Sequence, residues 1–545
     1  MPDVRHAAGF SVAAFFTAVI FAMTVFSCSS RPEKSSDLVR YRIDSDPTTL
    51  DPAYIVDVTG ATIAAKLFNG LVRLDAEMNV VGDIARAWRI SPDGRTYGFT
   101  LRDDVYFNHN NRKVTAHDFE YSFKRILDPA THSPNTWVLN RIDGAEDFSS
   151  GRSAILRGLK VIDDVTLEIT LSAPFAPFLK LLTMSPGCVV SRGESGRSPG
   201  VSGVSGIPGG TGPFTVEKWT HSDEVVLKRN PRYFENPARV GGIVYRVIPE
   251  DLTAVTEFMV GNVDILEIPV SAHTKFLKDP AYAGLIESAP GINIYYMGLV
   301  TGRKPLDNPV VRRAIAYAID REKILDTYYL KRGVYAPWPV PDTLKKYRLK
   351  DCCRYDPEKA GKLLKSAGYG PNTGPNTGLK PALKLKLNFY VKAVQESVDM
   401  AEITASYLKA VGVTVTIKPL EWSAYKAALN NGEADLFWLS WWADYPDAEN
   451  FLFPLFHSSN FGAAGNRTRY KNPAVDELIA SGSRETDEAR REKYYRQAES
   501  IIAQDVPGVF FWNKNNYVVH QSRVKNFRIY PIYSIDKGTQ IELSK

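Results

Sequence analysis

The segment from Leu383 to Trp442 constrains the fold more than any other part of this sequence. "LKLKLNFY" alternates apolar and polar residues as a strand does, "ESVDMAEITASYLKAVG" has the spacing of a helix that stops at Gly412, and "VTVTIKPL" returns to strand. "WSAYKAALNNG" then gives a short helix closed by Gly432, and "ADLFWLSWW" a third, mostly apolar strand. Strands joined through helices pair in parallel, so this βαβαβ unit predicts a parallel sheet with both faces covered. Ligands of such sheets sit just beyond the carboxyl ends of the strands. Asp444 emerges at that end of the third strand.

The stretch that follows, "WLSWWADYPDAENFLFPLF" from Trp438 to Phe456, joins aromatic residues to Asp444, Asp447 and Glu449 with no Lys or Arg among them. Trp438 and Leu439 end the buried strand, and Phe451, Leu452, Leu455 and Phe456 form one core-facing side of a following helix. Asp447 and Glu449 are expected to cap or decorate the start of that helix. Asp444 falls in the turn, where backbone is exposed and functional groups concentrate. Beside Trp441, Trp442 and Tyr445, its carboxylate suits an ammonium group held by a charge-assisted hydrogen bond between aromatic walls.

At 545 residues the chain exceeds one ordinary core, so two or three folded units are expected. Its 44% hydrophobic and 23% charged residues exclude a disordered chain. The net charge of +6 is spread out, and the tightest basic group, "LKKYRLK" from Leu344 to Lys350, is too sparse for a nucleic-acid footprint. Residues 1–28 differ from the rest: Arg5 and His6 precede the apolar run Ala7 to Phe26, which ends at Ser27-Cys28 before a polar tether over 29–38. That is the pattern of a secretory signal, with an uncleaved N-terminal anchor as the alternative, and either places the remaining chain outside the cytoplasm and at a membrane. Outside the cytoplasm, Cys188 could pair with either of the adjacent Cys352 and Cys353, and one thiol would be left over.

Two Gly-, Ser- and Pro-rich stretches, Gly193 to Gly212 and "PNTGPNTG" from Pro371 to Gly378, read as exposed loops. "DNPVVRRAIAYAIDREKILDTYYLKRG" reads as a helix capped by Asn308, started by Pro309 and stopped at Gly333; "DPEKAGKLLKSAG" repeats the device with Asp356, Pro357 and Gly368. The first half mixes strand-like "TYGFTLR" and "TLEITLS", a hairpin-like "GPFTVEKWTHSDEVVLKRN", and helices near Thr59 to Gly70 and Thr115 to Leu127. It is expected to be a second α/β unit richer in antiparallel strands.

Catalytic spacings are lacking: the sequence has no G-x-S-x-G, H-E-x-x-H, G-x-x-x-x-G-K-[ST] or G-x-G-x-x-G. Its histidines beyond the first segment, His109, His117, His132, His221, His273, His457 and His520, stand singly. These observations point away from an enzyme and provide no metal or cofactor site.

Several separated motifs then carry a resemblance: "DPTTLDP", "LFNGLVRLDAEMNVVGDIARAWRISPDGRTYGFTLRDDVYF", "KVTAHDFEYSFKRILDPATHSP", "TGPFTVEKW", "LKRNPRYF", "NPVVRRAIAYAIDREKI" and "WWADYPDAENFL". From about Val39 onward the chain resembles the extracytoplasmic solute-binding proteins of oligopeptide ABC importers, the peptide- and nickel-binding family. The resemblance implies an α/β, two-lobed periplasmic-binding-protein fold with a hinge: a first lobe over 39–290 with an extra subdomain near 66–165, a second lobe over 291–509, and a return to the first over 510–545. It implies a monomer that holds an oligopeptide between its lobes and delivers it to an ABC permease and ATPase. Within the family the acid of an A-D-Y segment pairs with the peptide's α-amino group, a role carried here to Asp444. Trp422 matches a Trp that lines side-chain pockets, and Trp441 an aromatic beside the amine. Val25-Phe26-Ser27-Cys28 resembles a lipoprotein box, with Cys28 the lipidated residue. Leu429 and Trp438 stand where some peptide binders place carboxylate-binding arginines, so no ligand length is implied. The rival readings are a binder of another solute, such as a sugar, an opine or a metal chelate, and a secreted hydrolase.

Overall fold

The computed structural model describes residues 37–192, 206–369 and 384–544. The expected signal with Cys28, nearly all of the tether, the stretch Pro371 to Gly378 and the larger part of Gly193 to Gly212 lie outside the described residues.

The βαβαβ unit forms as its periodicity predicts. Strand Leu385–Lys392 pairs in parallel with Val413–Leu420 on one side and with Leu436–Trp442 on the other. Helices Gln395–Ala410 and Trp422–Asn431 make the connections. Gly432 ends the second helix at φ +72°, a conformation that costs a side-chain-bearing residue energy, and its N–H reaches the carbonyls of Ala428 and Leu429.

The parallel unit is only one end of a mixed sheet. Leu436–Trp442 pairs antiparallel with Asn293–Leu299, which pairs antiparallel with the long strand Gly508–His520. The far part of that strand continues into the other half of the molecule, pairing with Ile286–Pro290 and Ile265–Glu267. Beyond them come Leu38–Ile43, Gly242–Val247 and the hairpin Glu224–Arg229 with Phe214–Thr220. The chain thus passes between the halves at Gly291–Ile292 and within Gly508–His520, side by side. Asn293 stitches the two crossings: its Nδ2 donates to the Lys514 carbonyl at 3.0 Å and its Oδ1 accepts from the Lys514 N–H at 2.7 Å. A narrow two-stranded crossing is the geometry of a hinge.

Next to this sheet, Ala85–Ile90, Thr96–Leu101, Thr166–Thr170 and Leu159–Asp163 form a separate antiparallel sheet. Its core includes Phe99 and Leu167 from the strands, with Phe119 and Phe123 supplied by helix Ala116–Leu127. This is the antiparallel content expected of the first half.

The helix expected from Asn308 to Gly333 is broken. Pro309–Tyr317 ends early, and Arg321–Thr327 restarts because the Asp320 carboxylate accepts from the Lys323 N–H and caps a new first turn. Gly333 instead opens the short strand Gly333–Tyr335, which pairs with the crossing strand. Cys188 forms no disulfide: its thiol lies against the Met184 carbonyl, while Cys352 and Cys353 place their sulfurs 3.0 Å apart. The basic group at Leu344 to Lys350 is partly consumed by ion pairs, Lys345 with Glu499 and Lys346 with Glu488.

Gly298 sits at the middle of the sheet, opposite Phe437 on one side and Gly508 on the other. A Cβ there would run into the buried Phe437 ring. Gly298→Ala is therefore expected to lose about 1–3 kcal/mol of stability in urea unfolding through overpacking; an unchanged midpoint would refute the tight contact.

Candidate ligand-binding cleft

The third strand of the βαβαβ unit delivers its last residues to the space between the halves. The Ala443 N–H still bonds the Ile292 carbonyl at 2.9 Å, and the chain then turns at Asp444. Asn450, in the first turn of helix Glu449–Phe456, fixes that turn. Its Oδ1 accepts from the Asp444 N–H at 2.8 Å, its Nδ2 donates to the Asp444 carboxylate at 3.3 Å, and its carbonyl accepts from the Trp441 indole at 2.8 Å. Phe451, Leu452, Leu455 and Phe456 anchor the helix in the core, as their spacing predicts.

Two cavities meet at this turn. The first, about 720 Å³, has Trp442, Asp444, Lys514 and Tyr533 in its wall; the second, about 620 Å³, has Trp441, Asp444, Tyr445 and Arg141. Asp444 and Trp137 belong to both. Asp444 is half-buried and lines both cavities. Burial raises its carboxyl above the usual carboxylate range, opposed only by the Asn450 hydrogen bond. Among the described residues no cation lies within ion-pair distance of it. Lys514, in the same wall, is 3.5 Å from Glu267. A carboxylate so placed gains most from a ligand that brings its own positive charge.

The structure brings Trp441, Trp442, Asp444 and Tyr445 together. It does not bring Trp422 with them: that residue lies at the start of its helix, is 40% exposed, lines neither cavity and has the ammonium groups of Lys392 and Lys426 over its ring. Leu429 and Trp438 are buried in the core and offer the cleft no polar group.

Asp447 and Glu449 are not solvated helix decoration. Asp447 does accept from the Glu449 N–H at 2.9 Å, as a cap would, but it is buried and engaged by two cations. Arg491 grips it with both terminal nitrogens, and Lys180 reaches it at 3.0 Å from the half that carries the separate antiparallel sheet. Although burial alone would raise its carboxyl, the charges of Arg491 and Lys180 hold it well below the usual carboxylate range. Glu449 is likewise buried and accepts from the Tyr445 hydroxyl. The ring of Tyr445 packs in the core with Phe175 and Leu181 of the other half.

Burial, aided by the nearby Asp447 charge, pushes Glu449 up to about 7 from its ordinary 4.5. Between those values the folded protein binds the proton and the unfolded chain does not, so the contribution of Glu449 to stability falls as pH rises through this window. Glu449→Gln is expected to gain on wild type by roughly 2–3 kcal/mol across it. Urea unfolding of both proteins at a series of pH values measures the gap; parallel curves would contradict the shift.

Trp137, Arg141, Lys514 and Tyr533 escaped sequence reasoning because they reach the cleft from segments far from Asp444 in the chain. Asn450 carried a local signal, an amide near the first turn of the helix that follows Asp444.

The family model for bacterial extracellular solute-binding proteins, family 5 middle region, matches residues 79–463. The chain belongs to this family. The family 5 chain is 28% identical to heme-binding protein A of Haemophilus influenzae, with 88% of each chain covered. It is 29% identical to the periplasmic murein peptide-binding protein MppA of Escherichia coli, with 87% of each covered. Its fold superposes on the Helicobacter pylori periplasmic binding protein DppA in complex with the peptide STSA, with a TM-score of 0.75, 27% identity, and 93% of this chain and 98% of that one covered. The family 5 fold is α/β and two-lobed, and the cavities at Asp444 lie where its two lobes meet. Among the described residues no helix is long and apolar enough to cross a membrane.

Proposed function

We propose that this family 5 protein binds oligopeptides outside the cytoplasm and delivers them to an ABC permease, with no catalytic step of its own. The observation that carries the reading is Asp444, a half-buried carboxylate at the junction of two cavities with no cationic partner among the described residues. The ammonium group of a peptide is the ligand chemistry that completes it. Trp441 and Trp442 are the walls on either side, and Tyr445 braces the turn from below. MppA, a murein peptide-binding protein, and DppA, whose structure holds the peptide STSA, support the same class.

In this reading residues 39–290 form the first lobe, with a subdomain near 66–165, residues 291–509 form the second, and 510–545 return to the first. The lobes close on the ligand about the paired crossings at Asn293 and Lys514. Lipid on Cys28 holds the protein at the membrane, and one copy serves one ligand.

Native mass spectrometry of the fragment from Ser29 to Lys545, followed by tandem sequencing of what it releases, tests the proposal. A ladder of peptides with free N-termini is expected. A single non-peptide mass, such as a porphyrin, would overturn it.

A further inference from the structure

The second cavity holds a cation that the peptide reading does not use. The Arg141 guanidinium lies over the Phe175 ring at 4.5 Å and near the Phe453 ring at 5.9 Å, one ring from each half of the molecule. No carboxylate among the described residues is within ion-pair distance of it. The cavity also contains Asp444 and Glu449, so the sign of its free charge has to be decided. Glu449 is 2% exposed and its carboxylate is engaged by the Tyr445 hydroxyl, so it offers an occupant little surface. Asp444 is neutralised once it holds an ammonium group. The charge left facing the cavity is the guanidinium of Arg141, which is only half-buried.

Stereochemistry then assigns the occupant. The α-carbon of a peptide's first residue bears the ammonium group, the carbonyl that continues the chain, and a side chain. With the ammonium group on Asp444, at the junction, the chain and the side chain leave in different directions. The first cavity is the larger and runs past Lys514, Asn516 and Val518 of the crossing strand, which leaves room for the continuing chain. The second, walled by Phe175, Trp441 and Phe453 and ending in a guanidinium, suits a side chain.

We propose that the second cavity receives the first side chain of the bound peptide and that Arg141 makes the protein favour peptides beginning with glutamate or aspartate. The inference rests on the Asp444 reading above. Aromatic rings over the guanidinium strip part of its hydration, which strengthens a bidentate hydrogen bond to a carboxylate. At about 620 Å³ the cavity is too roomy to select by shape, so charge is the discriminating property.

Titration calorimetry with the tetrapeptides Glu-Ala-Ala-Ala, Gln-Ala-Ala-Ala and Lys-Ala-Ala-Ala tests this on the wild-type protein. The glutamate peptide is expected to bind about tenfold tighter than the glutamine peptide, with the lysine peptide weakest. In Arg141→Gln the ratio of the glutamate-peptide to the glutamine-peptide affinity should fall to about one. Equal affinities for the first two peptides, or a preference for lysine, would overturn the proposal on wild type alone, whether or not the variant folds. N-acetylated Gln-Ala-Ala-Ala separates the two readings. If acetylation abolishes binding and no acidic preference exists, the Arg141 proposal fails and the Asp444 reading stands; if acetylation changes nothing, the Asp444 reading fails and the Arg141 proposal with it.

Discussion

Replacing Asp444 by asparagine is expected to weaken binding of a peptide with a free amino terminus by about 2–5 kcal/mol, roughly 30- to 5,000-fold in Kd. The substitution keeps the shape of the turn: Asn450 can still accept from the residue 444 N–H and donate to the side-chain oxygen. What it removes is the charge that the ammonium group meets inside a partly dehydrated cleft. Stability should hold or rise slightly, because the folded protein no longer pays to bury an uncompensated carboxylate. Calorimetric titration of wild type and variant, each with a free and an N-acetylated peptide, isolates the contact: acetylation should cost wild type most of the same energy and cost the variant little. Acidification gives an independent check. The ammonium group stays charged while the Asp444 carboxylate takes up a proton, so wild-type affinity falls as pH drops through a pKa above the ordinary 3.8, and the variant lacks that step. Unchanged affinity in Asp444→Asn would remove this residue from the site.

The parts of this molecule legible in the sequence are those set by neighbouring residues. Val413–Leu420 was readable end to end because its alternation starts directly after Gly412 and stops before the helix at Trp422. The place of Asp444, just beyond Leu436–Trp442, was readable because a strand's carboxyl end is a fixed place in a βαβ unit. The role of Asp447 was not, since its partners Lys180 and Arg491 come from distant segments and nothing around Asp447 announces them. The antiparallel extension of the sheet was hidden for the same reason: Gly508–His520 declares its strand character locally, but not that it will serve both halves. Trp422 was assigned from a family position rather than from its neighbours in the chain; here the ammonium groups of Lys392 and Lys426 lie over its ring.

Removing the charge partner of Asp447 should cost more stability than any other single change at the cleft. Arg491→Met leaves a carboxylate with 1% exposure facing only Lys180, and a loss of about 3–5 kcal/mol in urea unfolding is expected. The cost lies in the stranded charge rather than in the pair itself, so Asp447→Asn combined with Arg491→Met should lose distinctly less than the two single losses added. The pH dependence has a definite sign. The Asp447 carboxyl is held below its unfolded value of 3.8, so its contribution is complete above that value and declines as pH falls below it. The gap between wild type and Asp447→Asn should therefore close in acid. Lys180 acts differently, because it is 31% exposed and joins Asp447 across the two lobes. Lys180→Met should cost only about 1 kcal/mol in global unfolding. Its effect should fall on closure, as a weaker ligand affinity through faster dissociation at an unchanged denaturation midpoint. If Lys180→Met instead matched Arg491→Met in unfolding and left dissociation untouched, the contact would be part of one rigid core and not a link between moving lobes.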